Sequence, residues 1–116
     1  MDSIRARQPG EQLRVCSTSV AGRTVVAVTG EVDHQTATRL DDVLLTVIAS
    51  GARCVEVDFS RVSFCDCAGL NVLLGARSRC LDAGVRFVVA GPVAPAVERL
   101  LQLTGTAPLL LLAKTA

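Results

Sequence analysis

The chain has no tryptophan and no tyrosine, and phenylalanine occurs three times. Platforms that stack single-stranded bases rest on aromatic faces, so none is expected. Charge of one sign is not in excess: 12 Lys+Arg stand against 11 Asp+Glu, a net of +1. A general nucleic-acid binder carries a basic face, so direct nucleic-acid binding is not expected either. Long apolar runs are missing. The longest candidate, Pro108 to Ala113, is strand-sized and far below the roughly 18 residues that span a bilayer. The first ten residues, MDSIRARQPG, hold no apolar stretch of signal-peptide length. Together these predict a soluble, cytoplasmic protein without a membrane span. Phosphate-binding glycine loops of the G-x-G-x-x-G or G-x-x-x-x-G-K-S/T type are also lacking. Histidine occurs once, at His34, and Cys65-x-Cys67 is too close and too isolated for a zinc knuckle. No metal, cofactor or catalytic site is expected.

Against these gaps, half of the 116 residues are hydrophobic, enough for one sizeable core and too few for two domains. Five cysteines, Cys16, Cys54, Cys65, Cys67 and Cys80, are an odd number and read as free thiols in a reducing compartment. Residues 1–10 are polar and contain Pro9-Gly10, a loose tail; residues 11–116 form a single domain. Leu13 to Cys16 alternates weakly and Thr24 to Gly30 is β-branched, giving two strands. Leu40, Val43, Leu44, Val47 and Ile48 then recur at helical steps up to Gly51. Val55, Val57 and Phe59 alternate with Glu56 and Asp58, a strand dry on one face. Asp66 suits the N-cap of a second helix that runs to about Asp82 and closes at Gly84. VRFVVAG is a further strand, Pro95 opens a third helix behind a poor cap at Ala94, and Pro108 to Ala113 closes as a last strand. The order β-β-α-β-α-β-α-β predicts an α/β fold, α+β by strict bookkeeping, with a mixed sheet and helices mainly on one face.

Enzyme chemistry finds little support. Cys67 as nucleophile would need His34 as base, but His34 lies in the Asp33-His34-Gln35 stretch read as opening the first helix, and nothing in the sequence turns it toward Cys67. Asp41 and Asp42 are adjacent on a helix and do not face each other, so they read as a solvated face. Gly69 and Gly75 lie inside the second helix and read as sites of close approach. Plotted at 3.6 residues per turn, Gly69, Leu73, Ala76 and Cys80 form the stripe facing the sheet, with Leu70 beside it. Asn71, Gly75, Ser78 and Asp82 lie opposite, with Ala68 and Val72 alongside. The first two turns thus offer a small, shallow, mostly apolar patch suited to docking another protein.

The segments TGEVDHQTA (29–37) and VDFSRVSFCDCAGLNVLLGAR (57–77) closely resemble the STAS domain family. More narrowly they resemble the bacterial anti-sigma factor antagonists, whose pattern is G-E-L/V-D followed by D-F/L-S, then D-S-S/T-G-L. GPVAPAVERLLQLTG (91–105) resembles the family's third helix, and the match runs in order from about Val15 to Leu112. The resemblance implies a protein without enzyme activity that binds an anti-sigma factor, often a GHKL-type serine kinase, and so frees a sigma factor for transcription. In the family the kinase phosphorylates a serine at the start of the second helix. Here that position is Cys67, followed by Ala68, and neither is a serine-kinase acceptor; Ser63 lies before the helix start. Asp66 matches the acidic residue beside the phosphosite, and Asp33 the aspartate of G-E-L/V-D implicated in partner contact. The resemblance and the patch together put Asp33, His34, Asp66, Cys67, Ala68, Asn71, Val72 and Gly75 on the partner surface of a monomer or weak dimer. Three readings of Cys67 follow: a permanently competent binder, a different partner such as a transport complex, or a redox switch.

Overall fold

The computed structural model of the chain describes residues 13–111; the tail expected over residues 1–10 lies outside them. Strands β1 (Leu13–Val20), β2 (Arg23–Val32), β3 (Cys54–Cys65) and β4 (Arg86–Ala90) make one sheet in the order β1-β2-β3-β4. β1 pairs antiparallel with β2, and β2, β3 and β4 run parallel. The helices are α1 (Ala37–Ala49), α2 (Cys67–Ala83), α3 (Pro95–Leu103) and the short α4 (Ala107–Leu110). The mixed α/β sheet expected from the order of elements is present.

One face of the sheet is covered. Thr24, Val26 and Val28 of β2 are buried, and Thr24 and Val26 are in register with Val55 and Val57 of β3 and, across β3, with Phe87 and Val89 of β4. Helices supply Leu40, Leu44 and Val47 from α1, Leu73, Ala76 and Cys80 from α2, and Val97 and Leu101 from α3. Phe59 is fully buried, and truncating such a ring typically costs about 3–5 kcal/mol. On the opposite face Ala27 is exposed and Val25, Glu56 and Asp58 are half-buried, with an ion pair between Arg23 and Glu56.

β3 is longer than its neighbour along the shared edge. Residues 27–32 of β2 run beside residues 58–65 of β3, with register shifts after Ala27 and after Gly30. Each extra β3 residue reverses the parity of the strand, so the second shift restores what the first one changed. Its buried side chains go from steps of two (Val55, Val57, Phe59) to steps of three (Phe59, Val62, Cys65). Asp58 Oδ1 accepts the Ser60 N–H at 2.9 Å across the first irregularity.

β1 and β2 join through Ala21-Gly22, both at positive φ (+54° and +84°). That is the geometry of a two-residue hairpin turn, which favours Asn-Gly. An L-alanine in the left-handed region costs about 1 kcal/mol. Ala21→Asn is therefore expected to stabilise the fold by about 0.5–1 kcal/mol, read as a higher urea midpoint at unchanged slope.

Two expectations need correction. The segment from Pro108 does not form a strand. Ala107–Leu110 is a helical turn, and only Leu111 bridges in parallel to Val89; residues 112–116 lie outside the described residues. Proline in the first turn suits a helix start, whereas a strand would lose a ladder donor there. Second, the first helix begins at Ala37, so Asp33 to Thr36 form a turn and His34 precedes the helix. Ala94 caps α3 without a side-chain bond, as its chemistry dictates.

Candidate functional site

The C-terminal ends of β2 and β3 lie side by side, and both α1 and α2 start from that edge. The Asp66 N–H donates to the Val32 carbonyl at 3.1 Å, tying the two strand ends together. Asp33 follows Val32 directly. Its Oδ1 accepts the N–H groups of Gln35 (2.9 Å) and Thr36 (3.0 Å). In return the Thr36 hydroxyl accepts the Asp33 N–H at 2.9 Å and donates to the Glu31 carbonyl at 2.9 Å. This reciprocal pair resembles a capping box with Asp and Thr three apart. Thr36 is fully buried, and the sequence reading missed it; the Asp-x-x-Thr spacing was the available signal.

Burial works against the Asp33 charge, but the N–H groups of Thr36 and Gln35 and the Thr36 hydroxyl outweigh it and hold the carboxyl below its ordinary value of 3.8. Asp58 is likewise lowered, by the Ser60 hydroxyl and N–H. A depressed native pKa contributes stability that is complete above the unfolded value and lost as pH falls through the native one. The urea midpoint should therefore be insensitive to these two groups from neutrality down to about pH 5 and fall below about pH 4. Asp33→Asn should flatten that acid slope.

At the start of α2 Asp66 behaves as expected. Its Oδ1 accepts the N–H groups of Ala68 (2.9 Å) and Gly69 (3.3 Å), a cap worth ~1 kcal/mol. Gly84, at φ +72°, closes the helix, with the Val85 N–H reaching back to the Cys80 carbonyl at 2.7 Å. The inward stripe is as read: Gly69, Leu70, Leu73, Ala76 and Cys80 are all buried. Gly69 packs against the ends of both strands. A Cβ there would sit 2.6 Å from Val32 Cγ1 and 2.7 Å from Cys65 Sγ. Close approach does not explain Gly75, where a Cβ would meet only Arg79 Nη1, at 3.7 Å.

Of the outward residues, Cys67 and Asn71 are exposed, Ala68, Val72 and Gly75 half-buried, and Ala68 and Val72 also pack on the core. Half-buried Asp33 and Asp66 and exposed His34 and Cys67 gather where the two strands end, and Asn71, Val72 and Gly75 follow along α2 toward its middle. Phe64, exposed at 43%, sits on β3 just before it and was not among the residues first singled out. Asp41 is not merely solvated: its Oδ1 lies 3.8 Å from Arg79 Nη1, an exposed pair between α1 and α2 of the kind worth little. All five cysteines are free. Burial, then the neighbouring Asp66 and Cys67, push the Cys65 thiol up to about 12. Among the described residues no group of three His, Cys, Asp or Glu could hold a metal ion, and no helix is long and apolar enough to cross a membrane.

The family described as Mlab, STAS domain matches residues 16–112. The chain belongs to the STAS domain family. Among solved structures, this STAS domain is similar to an anti-sigma factor antagonist from Mycobacterium paratuberculosis. The two are 29% identical, with 89% of this chain and 86% of that one covered, at a TM-score of 0.78. The Bacillus anti-sigma factor antagonist SpoIIAA, solved in its unphosphorylated form, is 25% identical over 87% of this chain and 89% of its own, at 0.73. A sulfate transporter family protein from Wolinella succinogenes shares the fold, at 20% identity over 90% and 80% of the two chains and a TM-score of 0.67. The STAS fold therefore places the start of α2 where β2 and β3 end, with Cys67 at its first position.

Proposed function

We propose that this STAS domain is an anti-sigma factor antagonist. It binds an anti-sigma factor, of the GHKL-type serine kinase class, and thereby releases a sigma factor for transcription. The partner surface is the edge formed by Asp33, His34, Asp66, Cys67, Ala68, Asn71, Val72 and Gly75. The single observation that carries this reading is an exposed, compact Cys67 in the first turn of α2, within a chain whose similar structures include two anti-sigma factor antagonists. A phosphoserine at such a position would bring a charge of about −1.5 to −2 that the helix N-terminus tolerates and an apolar interface does not. With cysteine there, the surface stays permanently competent.

The reading carries the rest of the expectation: a cytoplasmic, non-enzymatic regulator of one domain over residues 11–116, monomeric or weakly dimeric, without nucleic-acid contact. The redox alternative lacks a resolving thiol nearby, since Cys65 is buried and held neutral. The test mixes the protein with a GHKL-type anti-sigma factor kinase from the same organism, with Mg-ATP. A stable complex and an unchanged intact mass are expected. Absence of a complex, or a phosphate added at Cys67 or Ser63, overturns the proposal.

A further inference from the structure

At the other end of the sheet, α2 finishes beside the start of β4. Seventeen residues of helix separate this end from Cys67, about 25 Å. A groove of about 390 Å³ opens there, lined by Arg77, Leu81, Val85, Arg86, Phe87 and Leu109. Two of the large hydrophobic side chains the fold leaves exposed are in it: Leu81, 61% exposed, and Leu109, 47% exposed. They come from α2 and α4, and the half-buried Phe87 of β4 lines the same groove. Single exposed leucines need no explanation; two facing one groove form a patch.

The charge of the groove is of one sign. Neither Arg77 nor Arg86 has an ion pair or a side-chain hydrogen bond among the described residues. The carboxylate nearest in sequence, Asp82, is exposed and lines no part of the groove. β4 is also the edge strand, bridged on its outer side only at Val89 among the described residues. The Arg86 N–H donates to the Arg53 carbonyl on the β3 side at 3.1 Å. Alternation along a parallel ladder then turns the N–H and C=O of Phe87 outward. Apolar walls, two unpaired guanidinium groups and an outward pair of backbone groups thus converge.

We propose that this groove docks an extended, acidic segment of a partner protein. An apolar anchor of the segment sits between Leu81, Phe87 and Leu109, and its carboxylates pair with Arg77 and Arg86. Guanidinium groups favour this occupant because their forked donors match carboxylates bidentately. The surface lies apart from the Cys67 edge and stands or falls independently of the function proposed above.

The test uses the full chain and three fluorescein-labelled short peptides. One alternates glutamate with leucine, one replaces each glutamate by glutamine, and one replaces it by lysine. The glutamate peptide should bind by fluorescence anisotropy, the glutamine analogue about tenfold more weakly, and the lysine analogue not at all. Amide NMR signals of Leu81, Arg86 and Phe87 should move, and those of Ala68 and Asn71 should not. The double variant Arg77→Glu/Arg86→Glu, checked by circular dichroism, should abolish binding; Arg86 is exposed, Arg77 half-buried, and neither side chain has a partner among the described residues, so the fold should tolerate the change. Equal binding of the glutamine analogue overturns the proposal. So do shifts confined to the first turn of α2, displacement of the peptide by inorganic phosphate alone, or self-association that the double variant dissolves.

Discussion

Cys67→Asp is expected to disable the proposed complex with an anti-sigma factor while leaving the domain folded. A carboxylate at the first position of α2 sits at the positive end of the helix dipole, which favours it by about 0.3–1 kcal/mol. Asp66 next to it repels it by a comparable amount, so stability changes little. The interface responds differently. Ala68 and Val72 give a carboxylate at this edge no donor with which to pair. Burying an unpaired charge there costs about 3 kcal/mol, or roughly two orders of magnitude in affinity. Isothermal titration of wild type and variant against the same partner measures the difference, with circular dichroism as control. An unchanged affinity would move the interface away from α2. Cys67→Ser is the companion: it should bind like the wild type until Mg-ATP is added to the kinase. It should then gain one phosphate and dissociate, because the acceptor hydroxyl is restored where the family carries it.

Gly69→Ala and Gly75→Ala are expected to change stability in opposite directions, although both replace a glycine within one helix. In an exposed helix interior alanine is favoured by about 1 kcal/mol. Gly75 has room for the methyl group, so its replacement should gain most of that amount. At Gly69 the new carbon would overlap Val32 and Cys65, two interior side chains held by paired strands. Lifting the start of α2 to make room would also stretch the Asp66 cap. Overpacking of this kind costs up to about 3 kcal/mol, which leaves a net loss near 2 kcal/mol and lowers the thermal midpoint by roughly 8 °C. Equal gains at both positions would mean that the helix does not rest on the strand ends. Gly75→Ala carries a second readout. If the partner lies flat against this part of α2, the stabilised variant should bind it more weakly.

The contrast between these glycines also marks what the sequence could disclose. Helix α2 was legible from end to end, because Asp66, the apolar stripe from Gly69 to Cys80, and Gly84 are local signals that all agree. The role of Gly69 followed from that stripe. The emptiness around Gly75 did not, since it depends on where Arg79 points. The long β3 was only half legible. Val55 to Phe59 alternate, but the shift to Val62 and Cys65 comes from pairing with β2, which no window of β3 contains. The leucines after Pro108 have no period of their own. There the proline and the preceding Thr106 were better guides than the run of apolar residues. At the site, Asp66 and Cys67 were placed by the cap. Thr36 and Phe64 were not found, because one is a buried polar residue satisfied by Asp33 and Glu31 and the other is a large apolar side chain on the outward face, where two cancelling register shifts leave it.

The two cancelling shifts make the spacing between Asp58 and Asp66 a fixed measure. Shorten this segment by one residue and the strand would rotate by half a turn relative to its neighbours. The ring of Phe64 would swing inward onto Val32, the Cys65 sulfur would meet solvent, and Gly69 would lose the seat that holds the helix down. The length of one strand, more than any single side chain at the edge, thus decides which groups this protein shows to the outside.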